Sequence, residues 1–198
     1  MFEIFAYAER MKYIRRWSLM HALRDETDTE HSFQVAYIAH ALALIENHIF
    51  EGKINTETVL SAALYHDLSE TVTGDMPTPV KYYRPEMREI YGALEENTKE
   101  RLLMTLPTAL REAYAPIIKA NEDTEEHRIV KAADRLSAYI KCLEEVKCGN
   151  TEFKRAMEGK QAELCASPLA CVHYFMENVL PVYTRSLDEL ELPAYRKD

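Results

Sequence analysis

Glycine and proline are scarce in this chain of 198 residues, at five and eight respectively. Most of the prolines fall between periodic apolar stretches, which excludes a loop-rich or fibrous fold and suits a compact helical one. No run of about 18 apolar residues occurs, so no membrane span is expected. Basic residues are also in deficit, 24 against 33 acidic, for a formal net charge of -9. An acidic surface repels a polyanionic backbone, which argues against DNA or RNA as a partner. A small anionic substrate remains open, because one metal and an arginine or two reverse the field inside a pocket. Cys142, Cys148, Cys165 and Cys171 lack CxxC spacing. Met1 to Arg10 carries two glutamates and no basic flank, unlike a signal peptide. Together these features indicate reduced thiols in a cytoplasmic protein. Internal repeats and low-complexity linkers are missing too, so one domain spanning 1–198 is expected.

What is present is helical periodicity. Thr27 and Glu30 form a candidate capping box, after which His31, Val35, Ile38, Leu42 and Ile45 share one face of a helix to Asn47. A second helix is predicted from about Thr56 to Thr71 or Val72, ended by Gly74, Pro77 and Pro79. Val59, Ala63, His66 and Glu70 share its inner face, and Asp67 points roughly 100° further round the axis. Gly74 to Tyr82 reads as a loop, because its prolines oppose helix and its Thr-Pro step is extended. Helices then follow over Pro85–Leu106, Thr108–Ala120 and Thr124–Lys147. Asp134 lies in the last of these, with Val130 one turn before and Ser137 and Ala138 one turn after. Thr151 to Leu190 reads as one or two more amphipathic helices broken at Pro168 and Pro181. The fold class is all-α, with no strand expected.

Four residues stand out against that pattern: His31, the doublet His66-Asp67, and Asp134. Each falls on a core-facing position, where an ionisable side chain is costly unless something satisfies it. Two imidazoles and two carboxylates from three helices make a site for a divalent transition metal. Taken singly, each has an ordinary alternative as a hydrogen-bonded core histidine or a helix-capping aspartate. His40, His48 and His127 illustrate that case and receive no role. The acidic run Glu122 to Glu126 reads as an exposed helix start.

The motifs EHS (Glu30-His31-Ser32), YHDLSE (Tyr65 to Glu70) and AADRLSAY (Ala132 to Tyr139) resemble the H…HD…D signature of HD-domain metal-dependent phosphohydrolases. RRWSLM (Arg15 to Met20), HDLSETVTGDMPTPVKY (His66 to Tyr82) and KAADRLSAYIKCLEE (Lys131 to Glu145) are similar to bacterial 5'-deoxynucleotidases of the YfbR type. The resemblance implies a compact HD-type helical bundle, with its HD core at about 28–139 and further helices at 151–190. It implies a homodimer that converts deoxyribonucleoside 5'-monophosphates to deoxynucleosides and phosphate in nucleotide metabolism. Carried across, the metal ligands are His31, His66, Asp67 and Asp134. Glu70 matches the catalytic glutamate, Arg16 the phosphate-orienting arginine and Trp17 the residue that packs against the sugar. Asp75, Met76, Pro77 and Thr78 match the loop that holds nucleotide, and His31, Asp67 and Asp134 also face substrate.

Physical chemistry supports those roles. A phosphate monoester dianion resists attack by water until its charge is neutralised and a strong nucleophile is supplied. One divalent ion per subunit with mixed N/O ligands does both; Co²⁺ and Mn²⁺ suit it, as do Fe²⁺ and Zn²⁺. Glu70, near the metal but not a ligand, is placed for proton transfer. Arg16 offers a bidentate fork for phosphate oxygens. Trp17 against C2' leaves no space or partner for a 2'-hydroxyl. Two other readings stay open: an HD phosphohydrolase for another phosphoester, including triphosphates, and a non-catalytic module that binds nucleotide or metal.

Overall fold

A computed structural model of the chain describes residues 1–192 apart from Tyr82, Ala120 and Glu122, with Thr78 described by its backbone only. The parts of the sequence reading that fall on Tyr82, Ala120, Glu122 and the Thr78 side chain therefore lie outside the described residues.

Helix α1 (Glu3–Arg10) opens the chain and passes into a 3-10 turn at Met11–Tyr13. Periodicity did not reveal α1, because within it only Ile4 is buried. Helix α2 (Asp28–Ile49) begins where its cap places it. The Thr27 hydroxyl accepts from the Glu30 amide, and the Glu30 carboxylate accepts from the Thr27 amide. Its inner face buries His31, Val35, Ile38 and Leu42 completely. Helix α3 (Thr56–Tyr65) is capped by Asn55.

Two expectations are corrected at this point. The predicted second helix does not run through to Thr71: it ends at Tyr65, and α4 (Glu70–Thr73) follows after four residues of tight turn. Across that turn the amides bond three residues back, Leu68 to Tyr65 and Glu70 to Asp67. The His66 ring takes the Ala63 carbonyl at 2.7 Å, the acceptor that the α-helical ladder would give to the Asp67 amide. The 74–82 loop is not free of helix either, since α5 spans Thr78–Lys81. Pro79 lies in its first turn, where a missing amide hydrogen costs nothing.

Helices α6 (Pro85–Leu103), α7 (Thr108–Ile118) and α8 (Glu125–Lys147) occupy the predicted stretches with shorter ends for the first two. The C-terminal part is more broken than expected. A 3-10 turn at Thr151–Phe153 leads to α9 (Lys154–Cys165) and α10 (Ala170–Tyr174), then a π-turn at Phe175–Val179 and 3-10 turns. Among the described residues there is no strand, only an isolated antiparallel bridge between Arg15 and Thr27.

Helices α2, α3 and α8 pack on one another, with α9 against α8 and α10 against α2. Their contact holds the main core, including Ile38, Leu42, Val59, Leu136 and Ile140. A smaller second core gathers Ile4, Met11, Leu68, Leu102, Leu103, Leu106 and Ile118. Leu68 sits inside the tight turn, so this second core anchors the HD doublet beside it.

Candidate active site

Helices α2 and α8 and the tight turn after α3 bring the four predicted ligands together. Atoms of His31, His66 and Asp134 able to ligate a metal lie within 4.8 Å of one another. Asp134 Oδ1 is 3.1 Å from His31 Nε2. Asp67 Oδ2 is 3.1 Å from His66 Nε2 and 3.7 Å from His31 Nε2.

The outer hydrogen bonds fix the two rings. Ser137 donates its hydroxyl proton to Gln34 Oε1 at 2.6 Å, so its oxygen accepts from His31 Nδ1 at 3.0 Å. His66 Nδ1 donates to the Ala63 carbonyl, which can only accept. Both neutral rings therefore carry their proton on Nδ1 and turn the Nε2 lone pair inward. His66 Nε2 is buried without a hydrogen-bond partner. Two lone pairs facing two carboxylates repel unless a cation stands among them, so these residues fit a divalent metal.

Burial and neighbouring charge act in opposite directions on these groups. Burial opposes ionisation of Asp67, yet His66, Arg16 and His31 hold its carboxyl well below the usual range. Burial likewise works against Asp134, and His31 outweighs it to pull that carboxyl down. His66 is raised despite burial, because Asp67 and Asp134 face it, whereas burial lowers His31. Glu70 goes the other way: burial, then the charges of Asp67, Asp28 and Asp75, push it up to about 11.

Glu70 groups with Asp28 and Asp67, with oxygens within 4.8 Å of one another. Arg16 reaches in from the chain before α2, its NH1 2.9 Å from Asp67 Oδ2 and 3.7 Å from Asp28 Oδ1. Trp17 follows with φ at 59°, in the left-handed region. For so bulky a side chain that backbone costs about 1–3 kcal/mol and persists only where surroundings over-determine it. The indole ring lies 5.3 Å from that of Phe153, and its N–H donates to Glu26 Oε2 at 3.0 Å. Gly74, at φ 73°, ends α4 and turns the chain so that Asp75 faces Arg16 and the Trp17 amide. Burial raises the Asp75 carboxyl, against the pull of both. Met76 and Pro77 continue that loop, half-buried.

Sequence reasoning missed Asp28, which is fully buried with neither carboxylate oxygen hydrogen-bonded. Burial and the charge of Asp67 push it to about 7. Its signal was the i,i+3 spacing to His31, which places both on one helix face. Glu26, on an extended segment, gave no periodic signal at all.

Comparison with known proteins decides the family. The profile of the family described as "5'-deoxynucleotidase YfbR-like" matches residues 3–183. The chain belongs to this YfbR-like family. A 5'-deoxynucleotidase of Photorhabdus temperata is 45% identical over 193 residues, 97% of this chain and 98% of the relative. One from Erwinia tasmaniensis is 46% identical over 187 residues, 94% of each. Among solved structures, an HD-domain phosphohydrolase from Listeria innocua superposes with TM-score 0.81 at 26% identity, over 91% of this chain and 88% of its own. A cyanophage S-2L HD phosphohydrolase, described as bound to dA and one catalytic Zn²⁺ ion, shares the fold at TM-score 0.63 and 20% identity, covering 89% and 96%. The YfbR-like match takes in all four candidate ligands, the Arg16-Trp17 pair and the 75–78 loop.

Proposed function

We propose that this chain is a metal-dependent 5'-deoxynucleotidase, releasing phosphate from deoxyribonucleoside 5'-monophosphates and selecting against a 2'-hydroxyl. The observation that carries the reading is the inward convergence of two imidazole Nε2 atoms and two carboxylates beside an arginine fork and the Glu70 carboxyl. Membership of the YfbR-like family supports it.

His31, His66, Asp67 and Asp134 would hold the metal. When bound, it supplies positive charge for a phosphate oxygen and makes water more acidic. Arg16 keeps its charge throughout, since Asp67, Asp134 and Glu26 outweigh its burial, and its planar fork matches two phosphate oxygens. Glu70 Oε2, buried and without a hydrogen bond, is the atom for the proton. Beside the charge of a bound ion the Glu70 carboxyl would be ionised, and as a carboxylate it takes the proton from the attacking water as the bond to phosphorus forms. It returns that proton to the 5'-oxygen as the phosphorus–sugar bond breaks, so the charges balance. Trp17 packs against C2', and the loop of Asp75, Met76, Pro77 and Thr78 holds the nucleotide. In this reading the ion is Co²⁺ or Mn²⁺ and the cytoplasmic enzyme works as a homodimer. No described helix is long and apolar enough to cross a membrane.

The test is phosphate release from dAMP against AMP and from dUMP against UMP, by metal-stripped protein resupplied with Co²⁺ or Mn²⁺. Metal-dependent release from the deoxy members alone is expected. Equal release from each pair refutes the selectivity, and no release with any metal refutes the reaction.

A further inference from the structure

Arg16 and Trp17 are consecutive, yet their side chains converge on one carboxylate. Glu26 Oε2 accepts the Trp17 indole N–H at 3.0 Å and stands 3.6 Å from Arg16 Nε. The Arg16 and Glu26 side chains are only 14% and 12% exposed. Arg16 Nε has no hydrogen-bond partner, so Glu26 supplies its nearest counter-charge. The backbone repeats the pairing, since the Arg16 amide donates to the Glu26 carbonyl at 2.9 Å and Arg15 bridges Thr27. Thr27 is the cap of α2, and His31 lies in that first turn.

We infer that Glu26 is a positioning residue that aims the phosphate fork and the sugar gate from a single carboxylate, in register with the metal-bearing helix. This rests on the roles proposed for Arg16 and Trp17. Asp67 is the nearest carboxylate to Arg16 but is also a metal ligand, so its charge is shared with the ion. Glu26 lies outside both sets of atoms able to ligate a metal and stays committed to the fork. The carboxylate does two separable things: its charge serves the guanidinium and its lone pair serves the indole. A glutamine in its place keeps an acceptor for the indole and removes the charge.

The experiment compares Glu26→Gln and Glu26→Ala on metal-loaded enzyme, with Arg16→Ala and Trp17→Ala as references. KM and kcat are read for dAMP and AMP. The emission maximum and anisotropy are read from Trp17, the chain's one tryptophan. Glu26→Ala is expected to raise KM for dAMP about tenfold and to erode the dAMP:AMP preference by a similar factor, as loss of a hydrogen bond to a charged group would. It should also alter the Trp17 emission. Glu26→Gln is expected to raise KM while leaving both the preference and the emission near wild type. Equal falls in kcat on both substrates, with KM, preference and emission unmoved, would overturn the proposal. A Glu26→Gln enzyme with wild-type KM would overturn the charge role. If Trp17→Ala leaves the preference unchanged, the sugar gate itself is wrong, and emission and KM still decide whether Glu26 positions the pair. Glu26→Gln is nearly isosteric, so the comparison stands even if Glu26→Ala does not fold.

Discussion

Glu145→Ala removes the side chain that ties the Trp17-bearing segment to α8, and its cost can be worked from the contacts. The Glu145 and Lys141 side chains are 2% and 6% exposed, with Oε1 to Nζ at 2.6 Å. Glu145 also accepts from the amides of Leu23 at 2.9 Å and Arg24 at 3.3 Å and from Asn150 Nδ2 at 2.8 Å. Without it, Lys141 keeps the Arg24 carbonyl at 2.6 Å and the face of the Phe153 ring at 6.0 Å but no counter-charge within the pair, and two loop amides lose their partner. Removing one member of a buried ion pair costs about 3–5 kcal/mol, because the other charge is left stranded. At about 2–4 °C per kcal/mol for a chain of this size, Tm should fall by about 10 °C. Thermal melts and urea titrations at neutral pH measure this, and the double variant Lys141→Met/Glu145→Leu should recover the part of the loss due to the stranded charge, with the Leu23 and Arg24 amides still unpaired. The acid response adds a second reading. Burial pushes the Glu145 carboxyl up, but Lys141, the Leu23 and Arg24 amides and Asn150 bring it to about 2 from an ordinary 4.5. A depressed folded value means the stabilisation is full above about 4.5 and is lost as pH falls from there through about 2. Glu145→Gln should therefore lose less Tm than wild type on that descent. A Tm change under about 2 °C for Glu145→Ala, or a double variant weaker than the single, would refute the argument.

Two further outcomes follow from the site. Glu70→Gln keeps the shape but cannot exchange the proton, so kcat for dAMP should drop by about 10²–10⁴. Metal content by plasma mass spectrometry should stay at the wild-type level, and a fall in bound metal would make Glu70 a ligand instead. Ser137→Ala leaves His31 Nδ1 without its acceptor, and metal affinity should weaken by about 10–100-fold with little change in Tm. Unchanged affinity in a metal-competition titration would show that the ring holds its orientation without the hydroxyl.

The long helices were legible because each carries its own start signal and a sustained apolar face. The Thr27–Glu30 capping box marked the start of α2 and forms, and α8 begins next to the expected Thr124, which caps it. The four candidate ligands stood out for a related reason: an ionisable residue on a core-facing position is conspicuous. The turn at 66–69 was not, because four residues do not separate a period of 3.6 from one of 3.0. Here a side chain, the His66 ring on Ala63, competes with the ladder. Nor did any residue preference announce the left-handed Trp17, since glycine and asparagine are the usual occupants of that region. Asp28 and Glu26 became visible only when Arg16 was seen to reach across to both.

The second core gives the amino terminus a reach that its distance along the chain conceals. Ile4 of α1 and Met11 share that core with Leu68, which is completely buried between Asp67 and Ser69. Leu68 acts as a rivet through the HD turn, and α1 is the plate it is driven into. A tag, fusion or trimming at the first helix is thus a mechanical input to a candidate metal ligand more than fifty residues later in the sequence. In a protein engineer's terms, the front of this chain is part of the tool's jaw, and the handle has to be fitted elsewhere.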